Sequence, residues 1–314
     1  MLAITFDEFG GPDVLRITEL PKPVPGAGEV VVRVAASPVN PTDILMRTGQ
    51  QVSMMTGLNP PYIAGMEFAG HVDSVGNGVS GLAVGQPVIG VVNPRRPAGG
   101  AHTQFVCVPA ESVATLDPPF NLVEAATVPM NSLTAQMAID VLRLPRGSTL
   151  VVTGAAGVLG GYVIQLAKRA GLFVIADAKE SDVPWLRSLG VDEIVPRGEA
   201  MYTAVRQHWP KGVDGLVDTA LLGTPVGALV RDGGIAVSVR KTHPIQDPRL
   251  RQGYVSVIEQ MRNTAALQQL ARLLQDGAFI TRVEMRLPMT EAAQAHRITE
   301  KGGLRGRVVL TFAA

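Results

Sequence analysis

The sequence predicts an α/β protein of two domains, a β-barrel-like domain and a doubly wound parallel sheet. Three observations support this prediction. A chain of 314 residues is long enough to bury two hydrophobic cores. Up to about residue 120, short β-branched runs alternate with glycine and proline, as in an all-β unit. From about residue 121, apolar strands alternate with helical patterns, which indicates a parallel sheet covered on both faces.

The individual elements follow in chain order. The expected strands of the first domain are VVVRVAAS, AGHVDSVG, QPVIGVV and HTQFVCVPA. The helical patterns NLVEAATVPMNSLTAQMAIDVL and YVIQLAKRAG then occur among the apolar strands TLVVTG, LFVIAD, GLVDTA and GIAVSV. After about residue 260 come a helix, AALQQLARLLQDG, the segment ITRVEMRLPM, a short helix, EAAQAHRITEKGG, and a final strand, GRVVLTF. This last segment either closes the second sheet or returns to the first domain.

Composition excludes several classes of protein. Apolar residues make up 46% and charged residues 18%, so the chain has ample surface to bury and is not disordered. A net charge of +1 without a long basic block predicts neither a nucleic-acid nor a membrane partner. The single cysteine, Cys107, cannot form an internal disulfide or a multi-cysteine metal site. With no signal-peptide pattern or membrane span in the sequence, we expect a cytoplasmic protein with a small-molecule partner.

Residues 149–171 form the most informative motif, TLVVTGAAGVLGGYVIQLAKRAG. Three glycines with the spacing G-x-x-G-x-x-G follow an apolar strand and open a helix. Glycine allows the sharp turn, the approach of the backbone to a diphosphate and the packing of helix on strand. The motif therefore predicts dinucleotide binding, against the alternative of a tight turn without a ligand. The predicted contact residues are Gly154, Ala155, Ala156, Gly157, Val158 and Leu159.

Three charged residues bear on the choice between NADP(H) and NAD(H). Asp177 ends the next predicted strand, where an acid bonds the ribose 2′-hydroxyl of NAD(H). Lys179 and Arg197, by contrast, would neutralise the 2′-phosphate of NADP(H). We favour NADP(H), with NAD(H) not excluded; in the alternative, all three are solvated loop residues.

Motifs along nearly the whole chain resemble the medium-chain dehydrogenase/reductase superfamily, and within it the zinc-free quinone oxidoreductase branch. The motifs are FGGPDVL, PVPGAGEVVVRV, SPVNPTD, PYIAGMEFAGHVDSVGNGVSGLAVGQPVIG, VPMNSLTAQMAI, GAAGVLG and GGLRGRVVLTF. The resemblance implies a GroES-like β-barrel domain from residues 1–122 and 262–314. It implies a Rossmann domain from residues 123–261, with the active site in the cleft. In this interpretation the C-terminal tail returns to the first domain.

The resemblance also identifies the positions at which zinc-dependent members bind their metal. Zinc-dependent members of the superfamily bind catalytic zinc through two cysteines and a histidine. Here Met66 stands at the histidine position, Cys107 matches neither cysteine, and Asn40 and Asn131 fall near the expected thiolates. We therefore expect no metal site.

A metal-free site of this family suits an acceptor whose developing charge is stabilised by hydrogen bonds. The cofactor supplies hydride, and a quinone or an activated alkene or carbonyl compound accepts it. The predicted function is therefore an NADPH-dependent oxidoreductase acting on a small hydrophobic quinone or carbonyl compound. The alternative is a low-turnover NADP(H)-binding protein that acts as a redox sensor or structural partner.

By resemblance, Asn40 is the first catalytic candidate, with its amide donating to a substrate oxygen. Its alternative is a turn residue before Pro41 that bonds its own backbone. Asp43 is the second candidate, and the alternative for it is capping the helix that follows. Leu45 stands where the family often has tyrosine, so one phenolic donor is missing.

The resemblance places several other residues beside the acceptor or cofactor. Methionines in cleft segments suggest a hydrophobic acceptor pocket, whereas core packing is the alternative for each. Thr134 either faces the cofactor or bonds its own helix, and Ser238 lies at the carboxyl end of a strand. The scattered histidines are interpreted as structural or exposed. The predicted pocket comprises Leu45, Met66, Met130 and Asn131, and Met46, Met54 and Met55 fall in the same segments.

The segment QGYVSVIEQ alternates in hydrophobicity near the end of the second domain. We interpret it as an edge strand that pairs with a second copy of the chain, because such pairing satisfies unpaired backbone groups. The sequence thus predicts a homodimer.

Overall fold

The computed structural model describes residues 1–312, which form two compact units. Unit 1 joins Met1–Met130 to the C-terminal segment that starts at Ile258, and unit 2 comprises Asn131–Val257. No helix within the described residues has the length and hydrophobicity needed to cross a bilayer.

Strands account for most of the regular structure in both units. They are β1 (Leu2–Thr5), β2 (Arg16–Glu19), β3 (Glu29–Pro38), β4 (Glu67–Val75), β5 (Pro87–Val91), β6 (Phe105–Pro109), β7 (Val113–Thr115), β8 (Thr149–Thr153), β9 (Phe173–Ala178), β10 (Glu193–Pro196), β11 (Val213–Asp218), β12 (Val230–Ser238), β13 (Arg251–Tyr254), β14 (Val283–Pro288) and β15 (Arg307–Thr311).

The α-helices occur mainly after the first six strands, together with several short 3-10 turns. They are α1 (Pro41–Arg47), α2 (Leu122–Ala125), α3 (Pro129–Leu142), α4 (Val158–Arg169), α5 (Val183–Ser188), α6 (Glu199–His208), α7 (Thr264–Gln275) and α8 (Ala292–Lys301).

Unit 1 is built on a seven-stranded sheet with the order β14-β15-β3-β4-β5-β7, in which β6 also pairs with β3. The C-terminal strand β15 runs antiparallel to β3, with Val309 opposite Pro38. The tail therefore belongs to the first unit rather than to the second sheet. Alternating valines of β3 and β6, and Val308 and Leu310 of β15, are buried together with Phe68 and form the core of this unit.

Unit 2 is a six-stranded parallel sheet with the order β10-β9-β8-β11-β12-β13. This is the doubly wound order of the Rossmann fold, so the predicted α/β class is confirmed. Strands such as β8 read as continuous apolar runs because helices cover both faces of the sheet. The carboxyl ends of β8, β9, β11 and β12 meet at one edge of the sheet.

The boundaries of unit 2 differ from those predicted for the Rossmann domain, residues 123–261. Unit 2 begins after Met130 and ends at Val257. The first boundary falls after Met130 because α2 packs against β3 and β4 of unit 1.

The predicted strand QGYVSVIEQ is also corrected, since β13 ends at Tyr254 and a 3-10 turn spans Val257–Gln260. Val257 is buried in that turn, so apolar residues at every second position did not require a continuous strand.

Candidate active site

The glycine motif of unit 2 forms a tight turn from the end of β8 into α4. Gly154 has a φ of +63°, and a Cβ there would lie 2.9 Å from Thr219 Oγ1 and 3.0 Å from the Ala220 nitrogen. A Cβ on Gly160 would lie only 2.5 Å from the Gly154 carbonyl oxygen. Both positions therefore require glycine, which explains why the turn fits so closely against the loop after β11.

The amino end of α4 has the chemistry of a diphosphate site. Its N-cap is Gly157, no side chain caps the helix, and its first turn, which includes Val158 and Leu159, carries no acidic residue. The free N–H groups and the helix dipole therefore favour an anion at this end. Ala155 and Ala156 fill the turn with small, buried side chains. These residues fit the diphosphate of a nicotinamide dinucleotide.

Asp177 connects the glycine turn to the next strand. Its Oδ1 accepts a hydrogen bond of 3.0 Å from the Ala155 N–H, and its Oδ2 lies 3.4 Å from Arg197 Nε. Burial raises the pKa of Asp177, while the bonds from Ala155 and Arg197 oppose this shift. Both carboxylate oxygens thus have partners within the protein. The side chains of Lys179 and Arg197 remain exposed beside it.

The carboxyl ends of β11 and β12 contribute polar groups to the same edge of the sheet. Asp218, which the sequence did not single out, accepts bonds from Thr153 Oγ1 at 2.6 Å and from the Gly223 N–H at 2.8 Å. It thereby fixes the loop that packs on Gly154. Ser238 lies at the end of β12, as expected, and donates to the Gly253 carbonyl at 3.4 Å.

Two predicted residues lie near the start of the long helix α3. Asn131 is buried, and its Nδ2 has no hydrogen-bond partner among residues 1–312. Thr134 follows one helical turn later and is half-buried.

In unit 1, Asn40 and Asp43 form the start of α1. Asn40 precedes Pro41 as the N-cap residue, and Asp43 Oδ2 accepts a 2.8 Å bond from the Asn40 N–H. Asp43 Oδ1 accepts a second bond, of 2.9 Å, from the Gly65 N–H. Both residues are fully buried. These are the contacts of a capping residue, the alternative that the sequence offered for Asp43.

Glu67 is the residue of unit 1 that sequence reasoning missed. Its Oε1 accepts a 3.2 Å bond from Asn40 Nδ2 and a short bond from Arg307, and its Oε2 accepts a 2.9 Å bond from the Met130 N–H. Burial raises the pKa of Glu67, whereas the charge of Arg307 lowers it. In the sequence, Glu67 is an acid at the first position of a buried strand, β4, and it directly follows Met66, which the resemblance aligns with a histidine.

The methionines of the predicted cleft segments have three different surroundings. Met46 and Met55 pack in a small core cluster with Phe6 and Ala64, so the core-packing alternative describes them. Met54 is exposed. Met66 and Met130 are buried and Leu45 is half-buried, and all three belong to the segments around Asn40 and Glu67.

Potential metal ligands and the lone thiol determine what further chemistry the protein offers. Within residues 1–312, no group of three or more His, Cys, Asp or Glu side chains could hold a metal ion. Burial raises the pKa of the Cys107 thiol to about 11, and Glu29 beside it acts in the same direction. Cys107 is therefore unreactive at neutral pH.

Family models match most of both units. Residues 26–118 match the alcohol dehydrogenase GroES-like domain. Residues 189–310 match the zinc-binding dehydrogenase family.

Full-length relatives and solved structures agree with these matches. The chain is 29% identical to a quinone oxidoreductase of Mus musculus over 99% of this chain and 97% of that protein. It is similar to the structure of the quinone oxidoreductase from Coxiella burnetii, with a TM-score of 0.87, 25% identity and 99% coverage of both chains. It is also similar to a mycobacterial protein, Rv1454c, complexed with NADPH, with a TM-score of 0.83 and 26% identity over 99% of this chain and 100% of that one.

Proposed function

Because this chain belongs to the quinone oxidoreductase branch of the medium-chain dehydrogenase/reductase superfamily, we propose that it is a zinc-independent, NADPH-dependent oxidoreductase. The acceptor is a quinone or an activated alkene or carbonyl compound. The observation that carries the proposal is the glycine turn into α4, beside an aspartate whose charge is already paired with Arg197.

A bound nicotinamide cofactor supplies the hydride. The N–H groups at the start of α4 hold its diphosphate, and Gly154 and Gly160 keep the backbone close enough to do so. Thr134 in α3 and Ser238 at the sheet edge are further proposed contacts of the cofactor. The protein's own task is to orient the two reactants and exclude water between them.

The preference for NADPH follows from the charges around Asp177. Its two oxygens accept from Ala155 and face Arg197, so this carboxylate is less available to a ribose hydroxyl than a free one. Arg197 and Lys179 leave one net positive charge beside Asp177. A 2′-phosphate carries up to about two negative charges near pH 7 and is favoured there.

On the acceptor side, the residue types favour hydrogen bonding over metal activation. Met66 replaces the histidine of zinc-dependent members, and a thioether is a poor ligand for catalytic zinc. Asn40 Nδ2 uses one hydrogen on Glu67 and has a second to donate to an acceptor oxygen that gains negative charge. Asp43 holds the start of α1 and thereby the position of Asn40.

Full burial of Asn40 supports the alternative function, a protein that binds NADP(H) with little turnover. Oxidation of NADPH by the purified protein separates the two functions when a benzoquinone, an α,β-unsaturated ketone and a saturated ketone are compared, with and without a chelator. We expect the benzoquinone and the unsaturated ketone each to be reduced as fast with the chelator as without it. The saturated ketone should not be reduced. Tight NADPH binding with no acceptor reduced would instead establish the binding-protein alternative.

We further propose that the protein is a cytoplasmic homodimer that pairs through β13. Cys107 is unpaired, which agrees with a reducing compartment. β13 is an edge of the sheet of unit 2, and Arg251 and Gln252 on it are exposed. Imaging of the tagged full-length protein tests the location, and the dimer is tested below.

A further inference from the structure

We infer that Glu67 is a positioning residue of the acceptor site, because one buried carboxylate holds both the amide of Asn40 and the backbone of Met130 in place. This inference rests on the proposed function, since it assigns Glu67 a role in presenting Asn40 to the acceptor.

The contacts of Glu67 come from three separate parts of unit 1. Asn40 lies at the start of α1, Arg307 at the start of β15, and Met130 in the first turn of α3. Each donates to the carboxylate, and the side chains of Glu67, Asn40 and Arg307 are all buried. One group therefore contacts two residues that the resemblance places at the acceptor site.

The geometry of Asn40 shows what this carboxylate determines. The Asp43 N–H donates to the Asn40 backbone carbonyl oxygen at 3.0 Å, and the side-chain oxygen Asn40 Oδ1 has no hydrogen-bond partner among the described residues. The bond from Nδ2 to Glu67 is thus the side-chain hydrogen bond that the structure gives for this amide. Without an ionised Glu67, nothing selects the orientation that leaves the second Nδ2 hydrogen free to donate.

A purely structural role would be explained by the pair with Arg307 alone. A buried ion pair can be replaced by apolar groups with little loss of stability, whereas removing one partner leaves a costly unpaired charge. Replacing both partners therefore separates the two roles. The variant Glu67→Gln, Arg307→Met keeps the core neutral but leaves Asn40 without its carboxylate.

The charges around Glu67 predict how its role depends on pH. Arg307 faces it from β15 and Asp43 from α1, and His102 Nε2 lies 3.9 Å from Asp43 Oδ2. Because burial raises the pKa of Glu67, the ionised form is lost at a higher pH than for an exposed glutamate. As pH falls through that raised pKa, Asn40 loses its acceptor and turnover decreases.

The test combines turnover with nuclear magnetic resonance of protein labelled with ¹⁵N at asparagine, which needs neither cofactor nor acceptor. We expect the Asn40 side-chain resonance, assigned with Asn40→Ala, to shift as wild-type protein is acidified. This titration should be absent in Glu67→Gln and in the double variant. The double variant should unfold at a temperature close to wild type, yet lose at least about tenfold in kcat with benzoquinone. Its KM for NADPH should be unchanged.

Glu300→Gln, Arg47→Met is the matched control, because it also replaces a glutamate and its buried arginine partner, and Glu300 does not contact Asn40. It should retain the titration and the turnover of wild type. A double variant that folds and turns over like wild type would overturn the inference, as would an Asn40 resonance that titrates unchanged in Glu67→Gln. A wild-type protein that reduces no acceptor but shows the titration would instead contradict the proposed function while the geometry stands.

Discussion

At the residue scale, Asp177 makes two contacts that the sequence did not predict. It accepts from the Ala155 N–H and faces Arg197, so it stabilises the glycine turn and is paired. Lys179 has no such contact with Asp177 and lies exposed just after β9. The two cations are therefore the groups with which the choice of cofactor can be tested.

Replacing both Lys179 and Arg197 by alanine should abolish the preference for NADPH over NADH. Each well-placed cation contributes about 1.5–3 kcal/mol through charge-assisted hydrogen bonds, so loss of the pair should weaken NADPH binding by at least about a hundredfold. Calorimetric titration at low salt measures the affinities, because salt screens the attraction.

Lys179→Ala alone leaves the Asp177–Arg197 pair intact and isolates the effect on the phosphate. Lys211→Ala, an exposed lysine in the turn before β11, is the charge control and should change nothing. If NADH binds to the wild type at least as tightly as NADPH, the cofactor is NAD(H).

Gly160→Ala should damage the dinucleotide site, whereas Gly161→Ala should not. A Cβ at residue 160 meets the backbone of Gly154 and Ala155, while the nearest atom to a Cβ at residue 161 is Leu189 Cδ1 at 3.7 Å. We expect at least about a tenfold loss of NADPH affinity for the first variant. The second should keep its affinity and gain about 0.5–1 kcal/mol in unfolding free energy from helix propensity. Equal affinities in the two variants would contradict the assignment of the turn.

The glycine turn was predictable because its residues are consecutive and only glycine fits the conformation. Glu67 was not predictable, since its partners Asn40, Met130 and Arg307 are distant in sequence and only the fold brings them together. The cap formed by Asp43 lies between these cases. The spacing indicated a helix start, but not the second bond to Gly65.

At the element scale, the two edges of the unit 2 sheet differ in their ability to pair. β10 ends in Pro196, which lacks an N–H group and is typical of an edge that avoids pairing. β13 carries no proline and exposes part of Tyr254. The strand is shorter than the sequence predicted because the segment after Tyr254 turns inward and buries Val255 and Val257.

Two lysines on β13 should convert a dimer into a monomer. In a two-fold pair, Gln252→Lys and Tyr254→Lys would place like charges of both copies against each other. Sedimentation should then give a mass near 33.1 kDa for the variant and twice the chain mass for wild type. Glu193→Lys on β10 is the control and should leave the dimer intact. A wild-type mass near that of a single chain at micromolar concentration would contradict the proposed dimer.

At the scale of the whole molecule, the division into two units followed from the change of pattern near residue 121. The return of the tail did not, because GRVVLTF suits either sheet and only the resemblance decided between them. The structure pairs β15 with β3, as the resemblance implied. The composition did not indicate that unit 1 has buried polar groups, which include Arg47, His102 and His296.

His296 should make the stability of the protein sensitive to acid. Burial lowers its pKa well below the ordinary value of 6.5, and the nearby charges of His102 and Arg47 act in the same direction. Below pH 6.5 the His296 side chain is therefore protonated in the unfolded chain but stays neutral in the folded protein. The free energy of unfolding consequently falls as pH decreases below 6.5.

One such group contributes at most about 1.4 kcal/mol per pH unit. Neither ring nitrogen of His296 has a hydrogen-bond partner in the part of the chain that is described, so His296→Leu should flatten this dependence. Urea unfolding at pH 7 and pH 5 measures it, with the exposed His243→Gln as the control. An unchanged difference between the two pH values in His296→Leu would assign the acid sensitivity to other groups.

The most direct test of zinc-independent, NADPH-dependent reduction compares NADPH and NADH as hydride donors to a benzoquinone in the presence of a chelator. The purified protein is assayed by following the absorbance of the reduced cofactor, and kcat/KM is determined for each cofactor. We expect quinone-dependent oxidation of both, unchanged by the chelator, with kcat/KM at least about tenfold higher for NADPH. Activity that disappears with the chelator and returns with zinc, or oxidation of NADH in preference to NADPH, would contradict the proposed function.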